Sequence, residues 1–172
     1  MVRGQNLASF TKWPRNLTPE SVLSSIKGNY SIAWQYDSSD TASPWKSYMP
    51  DYPTQSTLLE LNPKNGFWIN INTTSATLTN TGIAQTSEDI PMYAGQNMVG
   101  YPTNTIRTVD NALATIRGNY SIVWQYNATN TTNPWKSYMP NYTTQSNLQK
   151  MHPKYGYWIN LNTTQETLTI TA

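Results

Sequence analysis

The chain has 172 residues and a net charge of +2, and only 12% of its residues are charged, about half the usual share. It has no cysteine, which excludes a disulfide scaffold and thiolate metal sites, and its eleven basic residues are scattered, which argues against a phosphate-binding face for nucleic acid. Seven Trp and twelve Tyr beside so little net charge mark a chain that folds rather than a disordered one.

Two copies of one unit lie along the chain. A shift of 90 lays Gly28–Thr79 on Gly118–Thr169 with 33 of 52 positions identical, and upstream a shift of 91 lays Gly4-Gln5-Asn6 on Gly95-Gln96-Asn97. A period this long gives each copy the size of a small domain, not a solenoid turn. The expected organisation is a first repeat module over 1–80, a polar linker over 81–89 and a second module over 90–172.

In chain order, copy one begins at Met1-Val2 and is expected to lack a first strand that copy two has. In copy two, Ile90-Pro-Met-Tyr, Ala-Gly and Gln96-Asn-Met-Val read as strand, tight turn, strand. Thr18-Pro19-Glu20 followed by Val22, Leu23, Ile26 and Gly28 predicts a helix over 18–27 with an N-cap, Pro at N1 and a C′ glycine. Its twin falls over 108–117. NYSIAWQY alternates, which predicts a strand with Tyr30, Ile32, Trp34 and Tyr36 on its apolar face. The loop DSSDTAS leads to PWKSYMP (44–50, unchanged at 134–140), read as the return strand of a hairpin. Pro44 and Pro134 open that strand and Pro50 and Pro140 end it, with Lys46 and Lys136 facing solvent at a sheet edge. GFWININ places Phe67, Ile69 and Ile71 opposite Trp68, Asn70 and Asn72, and ATLT closes the unit. The fold class is therefore α+β, dominated by β: two tandem small domains, each an antiparallel sheet or partly open barrel with one short helix.

Catalytic signals are weak. The one histidine, His152, is matched by Asn62 in copy one, and Asp37, Asp40, Asp51 and Glu60 become Asn127, Asn130, Asn141 and Lys150. No catalytic residue, metal site or cofactor is assigned, and Asp37 and Asp40 are read as capping their own loop. Eight N-x-S/T acceptors stand at Asn16, Asn29, Asn72, Asn119, Asn127, Asn130, Asn141 and Asn162. Among the aromatics, Trp34 is read as core and Trp68 as the more exposed. Of Trp45 and Tyr48, at most one is core. Trp45, Trp68, Trp135 and Trp158 are the candidates for stacking on sugar rings. The competing reading is a small core filled by aromatics whose polar tips reach solvent.

The ordered run GQNMVGYP, VDNALATI, GNYSIVWQY, PWKSYMP, PKYGYWI resembles a repeat of exported proteins from methanogenic and related archaea and some bacteria. Its typical form is GWNLVGYP, GNY-x-x-VW-x-Y, WKSY-x-P, PGKGYWI. The resemblance covers nearly all of both copies, with Gln5 and Gln96 where Trp is usual and Asn65 and Tyr155 replacing a turn residue. It implies a tandem module of a cell-surface or surface-layer-associated protein, extracellular and without assigned catalytic residues. Expected partners are other modules of the parent chain or cell-envelope components, with glycans as the alternative ligand. No apolar run reaches the roughly 18 residues of a membrane span, and Met1–Phe10 has no leader-like apolar stretch. The chain is accordingly expected to be either cytosolic or a piece of a longer exported protein, and the duplication favours the second.

Overall fold

The structure, a computed structural model, describes all 172 residues. Its strands are β1 (Val2–Ala8), β2 (Tyr30–Tyr36), β3 (Trp45–Tyr48), β4 (Phe67–Ser75), β5 (Ser87–Val99), β6 (Arg107–Thr108), β7 (Tyr120–Tyr126), β8 (Trp135–Tyr138), β9 (Lys150–Met151) and β10 (Tyr157–Thr171), with short helices α1 (Pro19–Val22) and α2 (Val109–Ala112). Two four-stranded antiparallel sheets run in the orders β1-β4-β2-β3 and β5-β10-β7-β8, beside a small β6–β9 ladder. The fold is β-dominated, both sheets are open, and no barrel closes. Each sheet covers its own apolar cluster, of 14 buried residues in the first copy and 18 in the second.

The Gly-Gln-Asn motif has a backbone explanation. The register between β5 and β10 slips between Leu161 and Gln165, and Gly95 bends there at φ +82°. Asn97, buried, bridges the bend: its amide nitrogen donates to the Tyr93 and Gly95 carbonyls and its oxygen accepts from the Tyr93 N–H. Asn6 does the same for Val2 and Gly4 in β1. A β-bulge leaves ladder groups unpaired, and here a buried side chain satisfies them.

Several expectations need correction. The segment read as strand, turn, strand in copy two is one continuous strand, β5, because the glycine makes a bulge and not a reversal. β5 also begins at Ser87, so it takes the last three residues of the stretch read as linker. The ten-residue helices are single α-turns followed by 3-10 turns, Ser24–Ile26 and Ala114–Ile116, and neither Thr18 nor Thr108 caps with its side chain. So short an element has little helical stability of its own and is held by burying Val22, Leu23 and Ile26 or Ala112, Leu113 and Ile116.

The faces of β2 and β7 are the reverse of those read from alternation. Ala33 and Gln35 are buried, while Ile32, Trp34 and Tyr36 are only partly so. A register slip between Tyr30 and Ile32 inserts one residue, so Tyr30 and Ala33 share the core face despite their odd spacing. Trp34 and Trp124 therefore leave the core and join the opposite face.

PWKSYMP does close the hairpin. β3 pairs antiparallel with β2 from Ala33↔Tyr48 to Tyr36↔Trp45, and β8 repeats this register on β7. The Pro44 and Pro134 carbonyls, just ahead of each strand, accept the Asp37 and Asn127 N–H groups at 2.8 Å. Tyr48 and Tyr138 enter the cores, and burial together with a hydrogen bond to Asp110 pushes the Tyr138 hydroxyl up to about 12. Lys46 is not a free edge charge: its Nζ lies 2.6 Å from Asp40 and holds that carboxyl below the usual carboxylate range. The outer edge of β3 is instead covered by the chain, since the Thr57 and Leu58 N–H groups donate to the Ser47 carbonyl.

Candidate functional site

The two copies meet across a pseudo-two-fold arrangement built from backbone. The Ser9 N–H donates to the Lys154 carbonyl at 3.0 Å, and at the matching position the Gly100 N–H donates to the Lys64 carbonyl at 2.8 Å. Likewise Gly66 donates to Met98 and Gly156 to Leu7. The bridges Ala8↔Tyr155 and Asn65↔Val99 complete the exchange. Each copy thus lends the end of its first strand to the turn before the other copy's GFW or GYW strand. Close approach excludes a side chain at Gly156 and crowds one at Gly66. A Cβ on Gly66 would lie 3.2 Å from the Gly156 Cα, and one on Gly156 only 2.8 Å from the Ala8 carbonyl oxygen.

A second tie comes from the segment between the copies. Trp13 and Ile83 exchange backbone hydrogen bonds at 2.9 Å, and Glu88 receives both the Trp13 indole N–H and the Lys64 ammonium. The Glu88 side chain is only 11% exposed, so this pair is shielded more than a surface ion pair.

Above these contacts lies a layer of aromatic rings on the non-core faces of both sheets. Trp158 of the second copy meets Tyr36 and Trp45 of the first, with centroids 5.2 and 5.8 Å away. In the mirror arrangement, Trp68 of the first copy meets Tyr126 and Trp135 of the second at 5.1 and 5.9 Å. All are edge-to-face contacts, the geometry favoured by the ring quadrupole. Trp34 stands directly across the ladder from Trp68, and Trp124 from Trp158. The four tryptophans named from the sequence are thereby brought into two clusters, each containing residues of both copies. Trp45 and Trp135 remain 48% and 42% exposed, the most accessible of the set.

Between the rings is an open cleft of about 480 Å³ lined by Gln5, Trp34, Trp45, Trp68 and Tyr126. Its lining offers π faces, the Gln5 amide and the Tyr126 hydroxyl. The cleft can stack on a flat or ring-shaped neutral molecule and hydrogen-bond its edge. Gln5, Trp34 and Tyr126 were not named from sequence as lining residues. Gln5 supplies the amide.

No family model, curated protein or solved structure matches the chain.

The other sequence-named residues lie apart from the cleft. Asn16, Asn72, Asn130, Asn141 and Asn162 are exposed, while Asn29, Asn119 and Asn127 are partly buried. The Asn119 amide nitrogen already donates to Glu166 at 2.7 Å, which occupies the atom a glycan would take. Asp37 accepts from the Ser39 N–H, and Asp40 from the Ala42 and Ser43 N–H groups. Asn127 and Asn130 make the same turn contacts to Thr129 and Asn133 in the second copy. Each contact uses only one side-chain oxygen, so the two carboxylates can become amides without altering the loop. His152 offers its backbone to Tyr157: its N–H donates to the phenol and its carbonyl accepts from it.

Proposed function

We propose that the chain is a non-catalytic structural and adhesive unit of a cell-surface protein, its two repeats working as one rigid block. The observation that carries this reading is the reciprocal backbone exchange across Gly66 and Gly156, reinforced by the Glu88 clamp. Flexible spacers leave modules free on their tether, and this tether is hydrogen-bonded to both sides. The extracellular setting rests on the motif resemblance and is supported by the exposed acceptor asparagines. Partners on this reading are other modules of the parent chain or cell-envelope components.

Limited proteolysis tests it. Residues 81–86 are polar and mostly exposed, the place where a loose linker is cut first. A broad-specificity protease should cut there no faster than in the surface loops around Tyr52 and Tyr142. Early release of two stable halves would refute the rigid-block reading.

The aromatic cleft favours a second reading, a carbohydrate-binding module using Trp45 and Trp68 with their counterparts Trp135 and Trp158. A mostly apolar cleft with a single placed amide suits a neutral sugar ring. Titration with neutral oligosaccharides should then change tryptophan fluorescence saturably, and Trp68→Ala should abolish the change. Unchanged fluorescence at millimolar sugar would remove this reading and leave the structural one.

A further inference from the structure

The aromatic layer holds two matching sets of residues, and the cleft uses only the first. Gln5, Trp34, Trp45, Trp68 and Tyr126 line the cleft. The duplication puts Gln96, Trp124, Trp135, Trp158 and Tyr36 at the equivalent positions, identical at all five. Each set takes four residues from one copy and its tyrosine from the other, so each exists only when the copies are docked. The ring contacts repeat as well. Tyr126 lies 5.1 Å from both Trp68 and Trp135, and Tyr36 lies 5.2 Å from both Trp158 and Trp45.

The two sets are contiguous. Trp45 of the first touches Trp158 and Tyr36 of the second, and Trp68 and Tyr126 of the first touch Trp135 of the second. Neither set includes a charged side chain, so the surface suits a neutral occupant. A pseudo-two-fold relation reverses direction, so a chain with unlike ends meets the two sets in opposite senses. Stacking on a ring face tolerates that reversal, whereas a hydrogen bond aimed by one amide does not. The amides differ accordingly. Gln96 Nε2 donates across the ladder to Asn160 at 3.2 Å, while Gln5 makes no such bond to Asn70 opposite it.

We infer that the layer binds one linear, neutral oligosaccharide that runs from the first set to the second, across the joint between the copies. Gln5 fixes one sugar by its free amide among the rings of the cleft, and the second set adds stacking alone. The class of occupant is taken from the carbohydrate reading of the cleft, on which this step rests. What it adds is length: a chain of several rings gains a second contact that a short one cannot reach.

Calorimetric titration of the whole chain with disaccharides and hexasaccharides of the cello, N-acetylchito and α-mannan series tests it. In the series that binds, one hexasaccharide should bind per chain, at least about tenfold tighter than the disaccharide, because its second contact is intramolecular. Trp124→Ala should remove most of that gain. Gln5→Ala, at an exposed position, should weaken both lengths by the same factor. Equal affinity for the two lengths, two hexasaccharides per chain, or a length gain untouched by Trp124→Ala would overturn the inference and leave the cleft a sugar site. No heat from any series at millimolar sugar would remove the carbohydrate reading itself, and the inference with it.

Discussion

Phe67→Ala and Tyr157→Ala are each expected to lower stability by about 3–5 kcal/mol, the range for emptying a large aromatic from a closed core. Both rings are fully buried at equivalent positions on β4 and β10. Phe67 stacks on Phe10 with centroids 4.9 Å apart, and Tyr157 lies edge-on to Tyr101. Tyr157 also bonds the His152 backbone, so its loss removes a hydrogen bond from a part-buried N–H as well as opening a cavity. Trp34→Ala and Trp124→Ala should cost less, about 1–2 kcal/mol, since these larger rings sit on the half-exposed face. Denaturant unfolding of the four variants measures the order. A larger loss at Trp34 than at Phe67 would mean that the faces of the first sheet are assigned backwards.

Gly156→Val is expected to cost about 3 kcal/mol or more, at the upper end for overpacking. The first added carbon would lie 2.8 Å from the Ala8 carbonyl oxygen and 3.0 Å from the Leu7 side chain, and valine adds two methyls beyond it. The nearest atom is backbone, which cannot rotate away, so relief comes by parting the two copies. Unfolding should shift to lower denaturant, and the radius of gyration from solution scattering should rise. Gly4→Ala makes a useful contrast. That site has open space for a Cβ, and its cost is the backbone strain of φ +91°. Gly4→Ala should therefore destabilise without changing the shape. A Gly156→Val chain of native stability and native dimensions would contradict the interface described.

The duplication made much of the fold legible. Seven pairs that differ between the copies yet stay apolar are buried in both: Leu7/Met98, Ala8/Val99, Phe10/Tyr101, Ala33/Val123, Leu61/Met151, Phe67/Tyr157 and Ile71/Leu161. Drift that preserves hydrophobicity reports a packing constraint more directly than alternation does. Applied to Ala33/Val123, it assigns the faces of β2 and β7 correctly, where simple alternation from Tyr30 fails. Alternation failed because one inserted residue near Tyr30 breaks the period of two, and no residue there announces a bulge. The hairpin of PWKSYMP and the split of Phe67 from Trp68 were legible because those segments are regular. The inter-copy site was not. Nothing in the sequence around Gly66 and Gly156 points to a partner, and only a three-dimensional arrangement shows that each meets the other copy. Tyr36 and Tyr126 went unassigned to the aromatic layer for the same reason, since the rings they touch are supplied by the opposite repeat. The 77–79 segment shows the converse limit: its Thr-Leu-Thr is also the sequence of residues 167–169 in β10, yet it forms no strand.

Whether the two repeats form one rigid block can be read from a single distance distribution. The chain has no cysteine, so Leu59→Cys and Gln149→Cys place spin labels at two exposed, equivalent positions, one in each copy. Pulsed electron–electron resonance should give one narrow peak, unchanged in high salt, because backbone hydrogen bonds and glycine contacts fix the copies more than surface charge does. A broad or multi-peaked distribution would show two modules moving on a tether, and would contradict the account.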